Sequence, residues 1–154
     1  MLTTNDALRA LALLLTTVSL AGGLAHLLEL PHKIRMDRQT YLTVQQMYRG
    51  WAFLGVAVLG ALASILLLLA RVGGNHGDAI PLLIAAVAIG LSLAVFFAFT
   101  YPANRVTANW TRLPEHWQRL RSRWEYSHAV NAGLYFIALL ALILAIVVAY
   151  RPSP

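Results

Sequence analysis

Four apolar stretches, about Leu8 to Leu30, Gly50 to Ala70, Ala79 to Tyr101 and Ala129 to Tyr150, alternate in this chain with segments rich in Arg, His, Glu and Gln. Each stretch holds about twenty residues, enough for a helix rising about 1.5 Å per residue to cross a hydrocarbon layer roughly 30 Å thick. Backbone amides find no water partner there, so each stretch is expected to be helical. The pattern predicts an all-α membrane protein with four transmembrane helices in one antiparallel bundle, a single domain over residues 1–154. The opening MLTTNDALRA has no basic leader, and the apolar run behind it exceeds the core of a signal peptide, so it reads as the first membrane helix.

The connections carry a pattern of their own. Trp117, Leu120, Trp124 and His128 fall at i, i+3, i+7 and i+11, one helical face, while Arg119 and Arg123 fall on another. Pro114 suits a first helical turn, so the fourth helix is expected to start near it, run along the membrane surface and enter the bilayer near His128. On the 1–2 connection Pro31 disfavours helix at Leu30 and predicts a break there. A second amphipathic segment is expected from about Arg38 to Gly50. The short Gly-rich connection RVGGNHGDAIP is read as a turn, with His76 as a solvated loop residue.

Composition narrows the class. Of 154 residues, 59% are hydrophobic and 12% charged, which excludes an ordinary soluble globule. The absence of cysteine removes disulfides, thiolate metal ligands, iron–sulfur clusters and cysteine nucleophiles. A net charge of +6 could indicate nucleic acid. The basic residues, however, flank the apolar runs and read as topology determinants and lipid-headgroup contacts, so no nucleic-acid partner is expected. Lys33, Arg35, Arg38, Arg49, Arg105, Arg112, Arg119, Arg121 and Arg123 lie on one side and Arg9, Arg71 and Arg151 on the other. The positive-inside rule then places the two long connections in the cytoplasm and both termini away from it, in a multi-pass protein of the inner (plasma) membrane.

Polar groups at the edge of membrane helices tend to mark function, and here they gather at one level. His26 and Glu29 are spaced i, i+3 on the first helix, with His32 beyond Pro31. Glu125 and His128 repeat that spacing on the fourth, with Asn131 nearly a turn deeper. The second helix enters with Gln45, Gln46, Tyr48 and Arg49, and the third leaves with Tyr101 and Asn104. The matched depth predicts that the inner ends of helices one and four touch, placing His26 and Glu29 within one side-chain layer of Glu125 and His128.

Facing HxxE and ExxH pairs are the arrangement that binds metals in bundle cores, and imidazole with carboxylate would suit iron, copper, manganese or zinc. His26 and His128 could instead hold a haem. The third reading is a metal-free network in which Glu29 or Glu125 pairs with Arg49, Arg121 or Lys33. No GxGxxG, phosphate-loop, HExxH or GxSxG motif occurs. The small residues Ala21, Gly22, Gly23, Gly55 and Gly60 predict close helix packing. Phe96, Phe97, Phe99, Tyr101, Tyr135 and Phe136 are bundle packing or the lining of a pocket for a flat, greasy ligand.

The stretch ANRVTANWTRLPEHWQRLRSRWEYSHAVNA, with Asn104, Trp110, Trp117, Leu120, Arg121, Trp124, Glu125 and His128 in that order, resembles the signature of the anthrone oxygenase-like family of small four-helix membrane proteins. HLLELPHK followed by YLTVQQMYRGW is similar to the first half of the same pattern, so the resemblance covers nearly the whole chain. Asn131 departs from it, standing where many relatives carry Arg. The resemblance implies oxidation of a lipophilic, aromatic or polyketide-like molecule by molecular oxygen, beginning with deprotonation of an activated carbon. On this reading His128 oriented by Glu125, or His26 oriented by Glu29, supplies the base. Arg49, Asn104 or Gln45 holds the developing enolate oxygen, and Tyr48, Tyr101, Trp124 and Asn131 complete the binding set. The rival expectation is a non-catalytic subunit, in a homo-oligomer or a larger membrane complex, that docks through the polar cluster.

Overall fold

A computed structural model describes residues 3–73 and 77–150. His76 and Arg151 lie outside the described residues, and with them the expectation for His76. Among the described residues all regular structure is helical: α1 (Thr4–Lys33), α2 (Arg38–Gln45), α3 (Leu54–Val72), α4 (Ala79–Val95), α5 (Tyr101–Val106) and α6 (Trp117–Ala149). Short 3-10 turns at Gln46–Tyr48 and Trp51–Phe53 join α2 to α3. Gly50, at φ 87°, makes the bend between them in a conformation that a Cβ would strain.

Helix ends follow local chemistry. Thr3 and Asp6 form a reciprocal capping box at the start of α1. Asp37 caps α2 by accepting the amides of Gln39 and Thr40 at 2.9 and 3.0 Å. These bonds, with that of the Thr40 hydroxyl the strongest, hold the Asp37 carboxyl below the usual carboxylate range.

Three expectations are corrected. Pro31 does not break the first helix, which continues to Lys33. Proline removes only its own N–H, near the helix end, and the Ile34 amide still reaches the Leu30 carbonyl at 3.0 Å. The fourth helix starts at Trp117, not near Pro114, because Pro114 to His116 form a turn instead. The third span does not stop at Tyr101 but runs on to Val106 through a π-helical turn at Phe96–Thr100. Pro102 explains that turn: it cannot donate to the Ala98 carbonyl, its ring crowds that carbonyl, and the helix widens so that the Tyr101 amide reaches Phe96.

Among the described residues four helices are long and apolar enough to cross a membrane: α1, the Trp51–Val72 helix, the Ala79–Val106 helix and α6. The chain is a multi-pass membrane protein. α1 packs on α3 and α6, and α4 packs on the same two, so the four spans close a ring in chain order. At one end Arg9 pairs with Asp78 at 2.5 Å, Arg71 donates to Asn5 at 2.7 Å, and Tyr150 donates to Asp6. The starts of α1 and α4 therefore lie beside the ends of α3 and α6, which makes neighbouring spans antiparallel. The inward faces carry many small residues, including Ala12, Ala61, Ala85, Ala138 and Ala145. Large apolar side chains point outward, with Leu28 74% and Phe53 81% exposed, as suits a surface solvated by lipid.

α1 approaches α6 closely at Gly23, where a Cβ would stand 3.1 Å from Ala132 Cα and 3.2 Å from its Cβ. We expect Gly23→Val to lower stability by about 1–3 kcal/mol, since the added methyls meet backbone that cannot yield locally. Gly55→Ala, with nothing within 4 Å of its new Cβ, is the neutral control. Thermal unfolding in detergent reads the difference; equal melts would mean that close approach at Gly23 contributes nothing.

Candidate functional site

The end of the bundle opposite the Arg9–Asp78 pair is built around one lysine. Because α1 stays helical past Pro31, His26, Glu29 and Lys33 fall at i, i+3 and i+7 on one face turned toward α6. Lys33 is 1% exposed, an unusual state for an ammonium unless it is paired. Its Nζ stands 3.0 Å from Glu125 Oε2 and 3.2 Å from Glu29 Oε2. It also lies 3.0 Å from His26 Nδ1 and 3.3 Å from the Tyr48 hydroxyl. An ammonium only donates, so Nδ1 of His26 accepts and the ring's proton sits on Nε2.

A second layer fixes the carboxylates. Tyr41, fully buried, donates to Glu125 Oε1 at 3.0 Å, and Gln45 Nε2 donates to the same phenol oxygen at 2.6 Å. Tyr48 donates to Glu29 Oε2. Burial first, and then the carboxylate beside each, pushes both phenols above their ordinary range, so they remain donors at neutral pH. Tyr41 and Gln45 are i, i+4 on α2, which is why this short amphipathic helix is needed: it lays one polar face over the cluster.

Against these charges lies an aromatic wall. His26 and His128 stack at 4.3 Å between ring centroids, tilted by 34°. Trp124 packs on both, at 4.9 Å from His26 and 4.2 Å from His128, and Tyr48 and Trp51 close the other side of His26. Lys33 Nζ lies over the faces of Tyr48 and Trp124, 4.8 and 5.3 Å from their centroids, which adds cation–π attraction. Glu29, with its side chain 42% exposed, and Trp51, 38% exposed, form the open edge.

The structure thus brings together His26, Glu29, Gln45, Tyr48, Trp124, Glu125 and His128. Of the rest, Asn104 reaches this group only through Trp124, and Arg49, Tyr101 and Asn131 make no hydrogen bond to it among the described residues. Asn104 Oδ1 accepts the indole N–H groups of Trp110 and Trp124 at 3.1 and 2.9 Å, so it positions the aromatic wall. Arg49 is exposed. Tyr101 is turned outward, where it packs against Phe97 and Arg105. Asn131 is buried one turn deeper than His128, and its Oδ1, like His128 Nε2, has no hydrogen-bond partner among the described residues.

Two expected pairings are replaced. Glu125 does not orient His128, nor Glu29 His26; both carboxylates turn to Lys33, whose full charge attracts them more than a neutral ring does. Arg121, another proposed partner, lies over Trp117 at 4.6 Å and donates to the Met36 carbonyl at 2.6 Å, pinning the 1–2 connection to α6.

The donor set bears on a cofactor. His26, Glu29 and Glu125 converge on a point already filled by the Lys33 ammonium. Among the described residues no three His, Asp or Glu side chains gather as a metal-ligand set. A haem between His26 and His128 would need the rings on opposite faces of the macrocycle, whereas they stack on each other. The residues present fit neither group. What the cluster offers is a fixed cation, two anchored carboxylates and a shielded imidazole nitrogen with no partner.

Lys33, expected as one possible partner of Glu29 or Glu125, pairs with both; what sequence reasoning missed is that it is the centre of the cluster, and that Tyr41 is its brace. The i, i+3, i+7 spacing from His26 could have found the lysine, had the helix been carried through Pro31. The Tyr41–Gln45 spacing could likewise have found the brace. No protein family, no curated protein and no solved structure matches this chain.

Proposed function

We propose that this cluster binds a lipophilic aromatic or polyketide-like molecule at the cytoplasmic boundary of the inner membrane, removes a proton from an activated carbon, and commits the product to oxidation by molecular oxygen. The observation that carries the reading is His128 Nε2: a buried ring nitrogen without a partner, held by stacking beside a lysine-centred ion network. The resemblance to the anthrone oxygenase-like family points the same way. His128 accepts the proton, and the imidazolium it becomes faces the newly formed enolate. Lys33 supplies positive charge for the enolate oxygen, which enters at the exposed Glu29 edge. The carbanion attacks oxygen, the resulting peroxide anion takes the proton back from the His128 imidazolium, and the hydroperoxide loses water. The methylene thereby gives up two hydrogens and gains one oxygen as a carbonyl, while the second oxygen leaves as water.

The test is oxygen uptake by the purified protein with an anthrone, alongside its visible spectrum and metal content. Uptake matching anthrone consumed, without a Soret band or stoichiometric metal, supports the reading. No uptake and no saturable anthrone binding would overturn it in favour of a non-catalytic subunit of a larger assembly; a Soret band would overturn it in favour of a haem carrier.

The proposed side of the membrane rests on the basic residues flanking the spans and is tested separately. A C-terminal alkaline phosphatase fusion should be active and a C-terminal fluorescent fusion dark. The reverse result would move the cluster to the outer boundary.

A further inference from the structure

On another face of α6, at the same end of the bundle, a groove of about 290 Å³ runs between the α5 segment and the start of α6. Phe99, Val106 and Leu120 supply its apolar lining, and His116, Arg119 and Arg123 its polar side. None of its lining residues is acidic. The groove lies at the ends of two helices long and apolar enough to span a membrane, Ala79–Val106 and Trp117–Ala149, which on the reading of these helices as membrane spans puts it beside the lipid headgroups. Phe99 and Val106 are 46% and 42% exposed, so the lining opens toward the bilayer.

Four of the arginines are held by ion pairs or hydrogen bonds, and among the described arginines without either, Arg119 and Arg123 are the two that line the groove. Arg9 pairs with Asp78, Arg71 bonds Asn5, Arg38 donates to the Leu113 carbonyl and Arg121 to that of Met36. Arg119 and Arg123 are exposed, and among the described residues their side chains make no ion pair or hydrogen bond. They stand i, i+4, one above the other on the same helix face, with His116 a turn before. Two guanidinium groups without protein partners, over an apolar lining at headgroup depth, complement a phosphate diester attached to a hydrocarbon chain.

We propose that this groove is a binding site for an anionic phospholipid: the phosphodiester rests between Arg119 and Arg123, and one acyl chain runs along Phe99 into the bilayer. The site is separate from the histidine cluster and does not depend on the activity proposed for it.

Native mass spectrometry of the detergent-purified protein, titrated with dioleoyl phosphatidylglycerol or dioleoyl phosphatidylcholine, tests this. One phosphatidylglycerol should be retained in preference to phosphatidylcholine. R119Q/R123Q should weaken that binding roughly tenfold or more, as expected for the loss of two cations near anionic headgroups. R35Q/R112Q, which removes two exposed arginines elsewhere, should leave it nearly unchanged. Phe99→Ala keeps both charges and should also weaken retention, which covers the case of a poorly folded double variant. Equal binding of the two lipids would overturn the proposal, as would an equal loss in R35Q/R112Q, or displacement of the lipid by millimolar inorganic phosphate.

Discussion

Lys33→Met is expected to destabilise the protein by about 3–5 kcal/mol, more than any other single substitution in the cluster, because it removes one partner from a buried ionic network and leaves the others charged. Glu125 has no exposed side-chain surface, and its remaining bond from Tyr41 does not replace a cation 3.0 Å away. Glu29, half in solvent, loses less. The apolar stem of methionine keeps most of the volume of lysine, so the loss reads charge rather than a cavity. Lys33→Met/Glu125→Gln should recover a large part of the stability, since the only carboxylate then left without the lysine is the half-exposed Glu29; the excess over additivity is the coupling between the two residues. Thermal unfolding of the wild type, Lys33→Met, Glu125→Gln and the double variant in one detergent gives the cycle. A single variant that melts with the wild type would show that Lys33 does not organise this end of the bundle.

The same lysine shows where the sequence was legible and where it was not. Hydropathy and length locate membrane helices because lipid leaves the backbone no alternative to internal hydrogen bonds, and the four spans emerged from that constraint alone. The stripe Trp117, Leu120, Trp124 and His128 was legible for a similar reason: a face that packs must repeat with the helix. Helix ends were less so. Whether Pro31 ends a helix depends on what the following turn gains, and here the next turn carries Lys33 between two carboxylates from different helices, a gain that local propensity does not contain. Partner choice failed on the same ground. An i, i+3 spacing makes Glu125 and His128 neighbours, but which group Glu125 bonds was decided by a lysine 92 positions earlier in the chain and a tyrosine on α2. Asn104 could be seen to lie at the right depth, yet that its oxygen holds two indoles follows only from the fold of the 107–113 turn.

That turn shows what the site asks of its surroundings. Ala108, Asn109 and Trp110 are consecutive non-glycine residues with positive φ, at 49°, 54° and 60°. Left-handed backbone costs about 1–2 kcal/mol per residue for side chains with a Cβ. Thr107 offsets part of this by accepting the Trp110 amide on its hydroxyl and the amides of Thr111 and Arg112 on its carbonyl. The result is that Trp110 is folded back beneath Tyr41 and Trp124, with its carbonyl bonded by Gln46. The strain is thus spent on a rigid aromatic floor under the residues that hold Glu125 and the histidine pair, as is common where geometry near a site matters more than local stability.

The second large effect is expected at His128. His128→Gln should abolish anthrone-dependent oxygen uptake, by about 100-fold or more if the imidazole is the proton acceptor, while lowering stability only slightly. The ring makes no hydrogen bond through Nε2, so its replacement strands no partner; what is lost is stacking on His26 and Trp124, and glutamine retains much of the volume. His26→Gln is the informative comparison. His26 accepts from Lys33, so its loss disturbs the ion network and should lower the melting temperature as well as activity. Arg49→Gln and Tyr101→Phe, on exposed groups away from the cluster, should change neither. The decisive measurement is the pH profile of uptake together with the melts. If His128→Gln retains wild-type uptake at every pH, the unpartnered nitrogen is not the base, and the cluster is a structural ion network that joins α1 to α6.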